Sequence, residues 1–193
     1  MNVRLKMKNK REAILQATLE LITTNGIHAT PMSEVAKQAG VAAGTIYHYF
    51  ESKTELINDL YAVLKQRMGE ALMQNTEGQT SVKDRFFRFW LNLYGFFVQN
   101  PKEFDFLENY AQSPVVSEDV KKANEVHYSP VIAFLAEGIQ KGVLREMPVA
   151  LMTALVYGNV VAAAKLHLYG GFPLQPAHLQ QAMQASWDGV RIN

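Results

Sequence analysis

Apolar residues recur at a helical period along nearly the whole chain, and no long stretch alternates apolar with polar residues between turn signals. That pattern commits the 193 residues to an all-α fold, long enough to bury a stable core. Ile14, Ala17 and Leu21 share one face of a first helix over 8–24, which Asn25-Gly26 ends. Thr30 is placed to cap a short second helix with Pro31 in its first turn. Gly40 interrupts that helix before Val41, and a third short helix runs through Tyr49. Ser52 with Glu55 three residues on makes a capping box ahead of Leu56, Leu60, Val63 and Leu64, predicting a long fourth helix that links head to body. Ser81 and Asp84 open an aromatic-rich helix ending near Asn100-Pro101. Further helices are predicted over 101–111, 117–141, 148–169 and 176–188, with Pro130 expected to kink or split the segment 117–141.

Composition removes several function classes. The chain has no cysteine, which excludes thiol catalysis, disulfides and Cys-based zinc sites and fits a reducing, cytoplasmic setting. No phosphate-binding loop, HExxH motif or nucleophile elbow occurs, and the five histidines are scattered, so neither catalytic residues, a metal nor a cofactor is expected. The N-terminus lacks the apolar region of a signal peptide. Ala150 to Leu168 is strongly apolar but is broken by Thr153, Gly158, Asn159, Lys165 and His167, which reads as a buried helix rather than a membrane span. Charge is uneven: residues 1–53 carry seven Lys/Arg against four Asp/Glu, and residues 54–193 carry twelve against fourteen. A basic head on a faintly acidic body suits a polyanion partner.

Within that head, the stretch MSEVAKQAGVAAGTIYHYF, Met32 to Phe50, sets Ala36, Gly40 and Ile46 where a helix-turn-helix needs a small crossing residue, a turn glycine and an apolar anchor. Ala43, Gly44 and Thr45 lead the second of its helices and would let backbone approach base edges, with Tyr47, His48 and Tyr49 bringing hydrogen-bonding tips. The run GVAAGTIYHYFESKTELI resembles the recognition-helix signature of the TetR family of transcriptional regulators, and the resemblance covers roughly residues 8–65. It implies that Thr45 and Tyr47 contact phosphates or bases with His48 and Tyr49 nearby, that Lys53 touches phosphate, and that Thr30 and Ser33 serve from the second helix. Ala42 and Ala43 depart from the family pattern, where a serine and a longer polar residue are common, so fewer base hydrogen bonds are expected there. Arg4, Lys6, Lys8, Lys10 and Arg11 read as a mobile basic arm for phosphate or minor groove, or as a solvated tail.

The resemblance divides the chain into a DNA-binding domain, 1–53, and a helical ligand-binding and dimerisation domain, 54–193. Trp90, Tyr94, Tyr128 and Tyr157 are the aromatic side chains most expected to line a ligand pocket, because their polar tips need partners when buried; ordinary core packing is the alternative. Ala154, Gly158 and Ala162 recur every four residues on one face and, with Leu179, Met183 and Trp187 of the last helix, suggest a homodimer seam, the alternative being packing within one chain. The implied function is a repressor of double-stranded DNA that leaves a palindromic operator when a small apolar or aromatic effector binds. A structural or cell-division factor of the same architecture without an effector is the competing reading.

Overall fold

The computed structural model describes residues 3–76 and 81–192, with side chains described from Lys10 onward. Among the described residues, ten α-helices follow in chain order: α1 (Val3–Asn25), α2 (Met32–Gln38), α3 (Ala43–Ile46), α4 (Lys53–Leu72), α5 (Val82–Gln99), α6 (Pro101–Tyr110), α7 (Glu118–Ala123), α8 (Ser129–Gln140), α9 (Val149–Tyr169) and α10 (Pro176–Val190). A 3-10 turn, Asn124–His127, lies between α7 and α8. Among the described residues the only β pairing is one antiparallel bridge between Leu144 and Arg191.

The helix starts follow local chemistry. Ser81 accepts the Asp84 N–H at 3.0 Å, and Ser52 accepts the Glu55 N–H at 3.1 Å while the Glu55 carboxylate takes the Glu51 N–H at 2.6 Å. Both relieve donors that a helix leaves unpaired at its first turn. Pro130 stands in the first turn of α8, where its missing N–H costs nothing, so the expected 117–141 segment is split into α7, the 3-10 turn and α8. Two expectations at the N-terminus change. The helix starts at Val3 rather than near residue 8, so the presumed arm continues α1; the side chains of Arg4, Lys6 and Lys8 lie outside the described residues. Arg11 is committed to Asp59 of α4 at 2.7 Å and stacks its guanidinium 5.8 Å from the Phe50 ring centre.

The chain folds as two compact units. The first joins Met1–Lys65 to Lys102–Asn124, and the second joins Gln66–Pro101 to Glu125–Asn193. The first unit buries Ile14, Leu21 and Ile22 of α1 with Val35, Ala36, Ile46, Phe50, Leu56 and Leu60. Its later segment is tied in by polar bonds: Tyr110 donates to the Ile22 carbonyl at 3.2 Å, and Asn58 donates to the Val115 carbonyl at 3.0 Å while accepting the Ser117 N–H at 2.9 Å. The Glu20 carboxylate is held below its ordinary range by the Gln16 amide, with Lys102 and Gln38 adding to the effect.

In the second unit α5 is central. Phe86, Phe89, Trp90, Leu93, Tyr94, Phe96 and Phe97 are all buried, too many for one narrow stripe, and α5 packs against α9 and α10. Phe86 meets Trp187 edge-on at 5.3 Å and Phe89 meets Phe134 at 5.2 Å. Helix α9 departs from the expected buried helix. It is long and apolar enough to cross a membrane, yet only 28% of its most apolar window is buried. Leu151, Leu155, Leu166 and Tyr169 are exposed, together with Ala154, Gly158 and Ala162.

Candidate nucleic-acid interface and ligand site

The helix-turn-helix is built as its sequence requires. Helix α2 ends in a Schellman arrangement: the Val41 N–H bonds to the Ala36 carbonyl at 2.9 Å and the Gly40 N–H to the Lys37 carbonyl at 3.2 Å. Gly40 holds the joint at φ +66°, a conformation costly for any residue with a Cβ. Val35, Ala36, Ile46 and Phe50 are each at most 1% exposed, so the two short helices are fixed by their apolar inner faces. Helix α3 is shorter than expected. It ends at Ile46, and Tyr47 to Tyr49 continue as tight turns in which His48 and Tyr49 bond three residues back, to Thr45 and Ile46.

The outer edge of this motif carries Ala43, Gly44, Tyr47 and His48, all exposed, with Thr45 and Tyr49 half-buried and Ser33 exposed on α2. A Cβ on Gly44 would meet no atom within 4 Å, so the start of α3 faces open space. Tyr47 is 56% exposed, the one large hydrophobic side chain left so among the described residues of the first unit. A ring presented to solvent beside small residues can lie along a groove wall while its hydroxyl reaches a phosphate.

Two residues placed at this interface from sequence bond to backbone carbonyls of the α1–α2 turn. Thr30 is 1% exposed, and its hydroxyl donates to the Gly26 carbonyl at 2.9 Å. It neither caps α2, whose N-cap is Pro31 without a side-chain bond, nor faces a ligand. Lys53 is half-buried and its ammonium donates to the Ile27 carbonyl, across 26 residues of sequence. Side-chain direction at a turn is set by the nearest unsatisfied backbone group, which a motif match does not reveal.

Of the aromatic residues expected to line a pocket, Trp90 and Tyr94 are buried and Tyr128 and Tyr157 are half-buried. Trp90 is 1% exposed and donates to Asn159 Oδ1 at 3.0 Å; Tyr94 stacks on it at 5.6 Å and bonds to His167 Nδ1 at 2.6 Å. Burial raises the Tyr94 phenol above its usual range and does the same to Tyr128, with Glu125 adding to the latter. Tyr157 is half-buried with its ring edge-on to Phe97 at 6.0 Å. The polar tips of Trp90 and Tyr94 are satisfied by Asn159 and His167 of α9. A cleft of about 360 Å³ opens elsewhere, between Arg67, Glu70 and Ala71 of α4 with Gln74 just beyond it and Leu91, Asn92, Gly95, Phe96 and Gln99 of α5 with its C-cap Asn100. Its mostly polar lining left no periodic signal in the sequence.

The expected dimer residues divide by helix. Ala154, Gly158 and Ala162 are exposed on α9 and free to meet another helix, and a Cβ on Gly158 would meet nothing within 4 Å. On α10, Leu179 is half-buried while Met183 and Trp187 are 7% and 6% exposed. Those two turn inward within the chain, Trp187 onto Phe86.

Known proteins share both parts of the chain. Residues 14–60 match the family model of bacterial regulatory proteins, tetR family, and residues 81–191 match that of the tetracyclin repressor-like C-terminal domain. An HTH-type transcriptional regulator of Haemophilus influenzae is 24% identical over 180 residues, spanning 93% of this chain and 95% of its own. The fatty acid metabolism regulator protein of Bacillus subtilis is 29% identical over 173 residues, 80% of this chain and 82% of its own. Among solved structures, a tetR family transcription regulator from Shewanella sp. PV-4 superposes with a TM-score of 0.87 at 27% identity, covering 95% of this chain and 99% of its own. FadR from Bacillus subtilis in complex with stearoyl-CoA has a TM-score of 0.75 at 20% identity over 92% and 98% of the two chains, a likeness of fold.

Proposed function

Since this chain belongs to the TetR family of bacterial regulatory proteins, a family of DNA-binding transcriptional regulators, we propose that it is a cytoplasmic homodimeric repressor of a palindromic operator, released by a small-molecule effector. The observation that carries the DNA reading is the exposed edge Ala43, Gly44, Tyr47 and His48 on a motif whose inner face is fully buried. Direct readout there rests on Tyr47, His48, methyl contacts and groove shape, because no arginine lies on this edge. Two copies joined along the exposed face of α9 present two such edges to one duplex, which explains a palindromic site.

The paired tips of Trp90 and Tyr94 leave no free hydrogen-bonding group there for an effector. The first effector class to test is a long-chain acyl-CoA, an apolar chain with a polar head, on the strength of the Bacillus subtilis fatty acid metabolism regulator and of the FadR structure with stearoyl-CoA. Selection of bound duplexes from a random pool at moderate salt, followed by titration of wild type and Tyr47→Ala, tests the DNA reading. A palindromic consensus that the variant binds at least about tenfold more weakly supports it; no enrichment at any salt refutes it. Adding stearoyl-CoA to the complex tests the effector class: release supports it, and undisturbed binding at saturating ligand rejects it.

A further inference from the structure

Two imidazoles close the connection between α9 and α10. The Leu174 N–H donates to Nδ1 of His167, in the last turn of α9, at 3.1 Å. The next N–H along the chain, that of Gln175, donates to Nδ1 of His178, in the first turn of α10, at 3.2 Å. A backbone N–H can only donate, so in both rings Nδ1 is the acceptor and the proton sits on Nε2. Tyr94 of α5 meets the same His167 Nδ1 at 2.6 Å and must donate as well. Burial raises the Tyr94 phenol above its usual range, so it keeps the proton it shares. Side chains tether the connection weakly: from Gly171 to Gln175 only Leu174 is even half-buried. Phe172 is 47% exposed and lays its ring against His178 with centroids 5.1 Å apart.

An imidazole that takes up a second proton has no acceptor left. The Tyr94 hydroxyl can rotate to accept from a charged His167, but the Leu174 and Gln175 N–H groups cannot. Tyr94 is the titratable group that faces His167 from α5, and Lys165 and Tyr169 flank it on α9. The stretch Gly171–Gln175 holds no titratable side chain, and α10 has none besides His178 before Asp188. The geometry points to a proton-operated clasp: neutral His167 and His178 hold the α9–α10 connection closed, and protonation of the two rings releases it from Leu174 and Gln175. The opened connection binds the extra protons, so closure is complete above the ordinary imidazole range, about pH 6.5, and is lost as pH falls through it. The clasp is independent of the DNA-binding reading.

The test is nuclear magnetic resonance on the full chain at about pH 8 and about pH 5. Imidazole nitrogen shifts should show the Nε2–H tautomer in both rings at the higher pH and both rings charged at the lower. Over the same interval the protection of the Leu174 amide from exchange, corrected for the pH dependence of free amides, should fall about tenfold. That of the more exposed Gln175 should fall less, while the amides of α5 hold theirs. In the double variant His167→Asn with His178→Asn, each Oδ1 lies near the place of Nδ1 and takes no proton, so protection at both amides should stay level. A proton on Nδ1 of either ring at the higher pH overturns the proposal, as do rings still neutral at the lower one. Unchanged protection once both rings are charged, a loss shared equally by α5, or a loss that persists in the double variant overturns it too. If the double variant does not fold, the wild-type comparison decides alone.

Discussion

Replacing Gly69 by alanine sets two opposed effects against each other at a single site. Gly69 lies inside α4, and alanine there gains about 1 kcal/mol in helix propensity. Yet a Cβ at this position would stand 2.5 Å from the His127 carbonyl oxygen, 2.7 Å from His127 Cβ and 3.1 Å from its carbonyl carbon. These atoms belong to the 3-10 turn and its first side-chain carbon, so no rotamer change clears them. The turn must part from α4 by about 0.5 Å to reach the closest approach that Cβ atoms ordinarily show, and overpacking of this kind costs about 1–3 kcal/mol. The clash should win by up to about 2 kcal/mol, lowering the thermal midpoint by up to roughly 8 °C for a chain of this size. Gly95→Ala in α5 is the control. Its nearest neighbour would be Gln99 Nε2 at 3.9 Å, an ordinary contact, so the same propensity gain should emerge unopposed. Melting followed by circular dichroism measures both. A Gly69→Ala protein that melts at or above wild type would show that the 3-10 turn yields freely, and the reasoning from close approach would be wrong.

Other perturbations follow from the same geometry. Leu155→Glu, on the exposed face of α9, should turn a dimer into monomers and weaken operator binding steeply; sedimentation that still shows dimers would move the seam elsewhere. Burial pushes the Lys65 ammonium down to about 8 from 10.5, so between those values the unfolded chain holds the extra proton and stability should rise with pH. Lys65→Met should lose that rise, so its urea midpoint should stay level between about pH 8 and about 9.5. Trp90→Phe leaves Asn159 Oδ1 without its 3.0 Å donor and leaves part of the indole space unfilled, which should cost about 1–3 kcal/mol in chemical denaturation with an unchanged slope.

Local chemistry was the legible part of this fold. Ser52, Ser81, Gly40 and Pro130 each act within a few residues of themselves, and each does in the structure what its type and position require. The inner face of the DNA-binding motif was equally readable, because Ala36 and Ile46 answer to helix crossing and burial alone. Legibility failed where a side chain chooses among partners distant in sequence. Thr30 could serve a cap, a phosphate or a carbonyl, and Lys53 a phosphate or a carbonyl; the fold offers each a backbone oxygen first. Periodicity also reports that a stripe exists without saying what it meets. Leu179, Met183 and Trp187 form such a stripe, and it turns onto Phe86, while the Ala154, Gly158 and Ala162 stripe stays open. The return of residues 102–124 to the first unit had no local signal at all, since Asn58 and Tyr110 are ordinary polar residues until their partners are known.

That return makes the compact unit that carries the helix-turn-helix discontinuous in the gene. A chimera that grafts residues 1–65 onto a foreign body by one crossover would leave Asn58 without Val115 and Ser117, and the Ile22 carbonyl without Tyr110. Recombination that trades operator specificity between such proteins is thus expected to succeed only when both pieces travel together, or when the recipient already carries a compatible second piece. Designers of hybrid biosensors meet the same constraint: the transferable part is two segments of chain, and the second of them is encoded in what a linear reading assigns to the sensor.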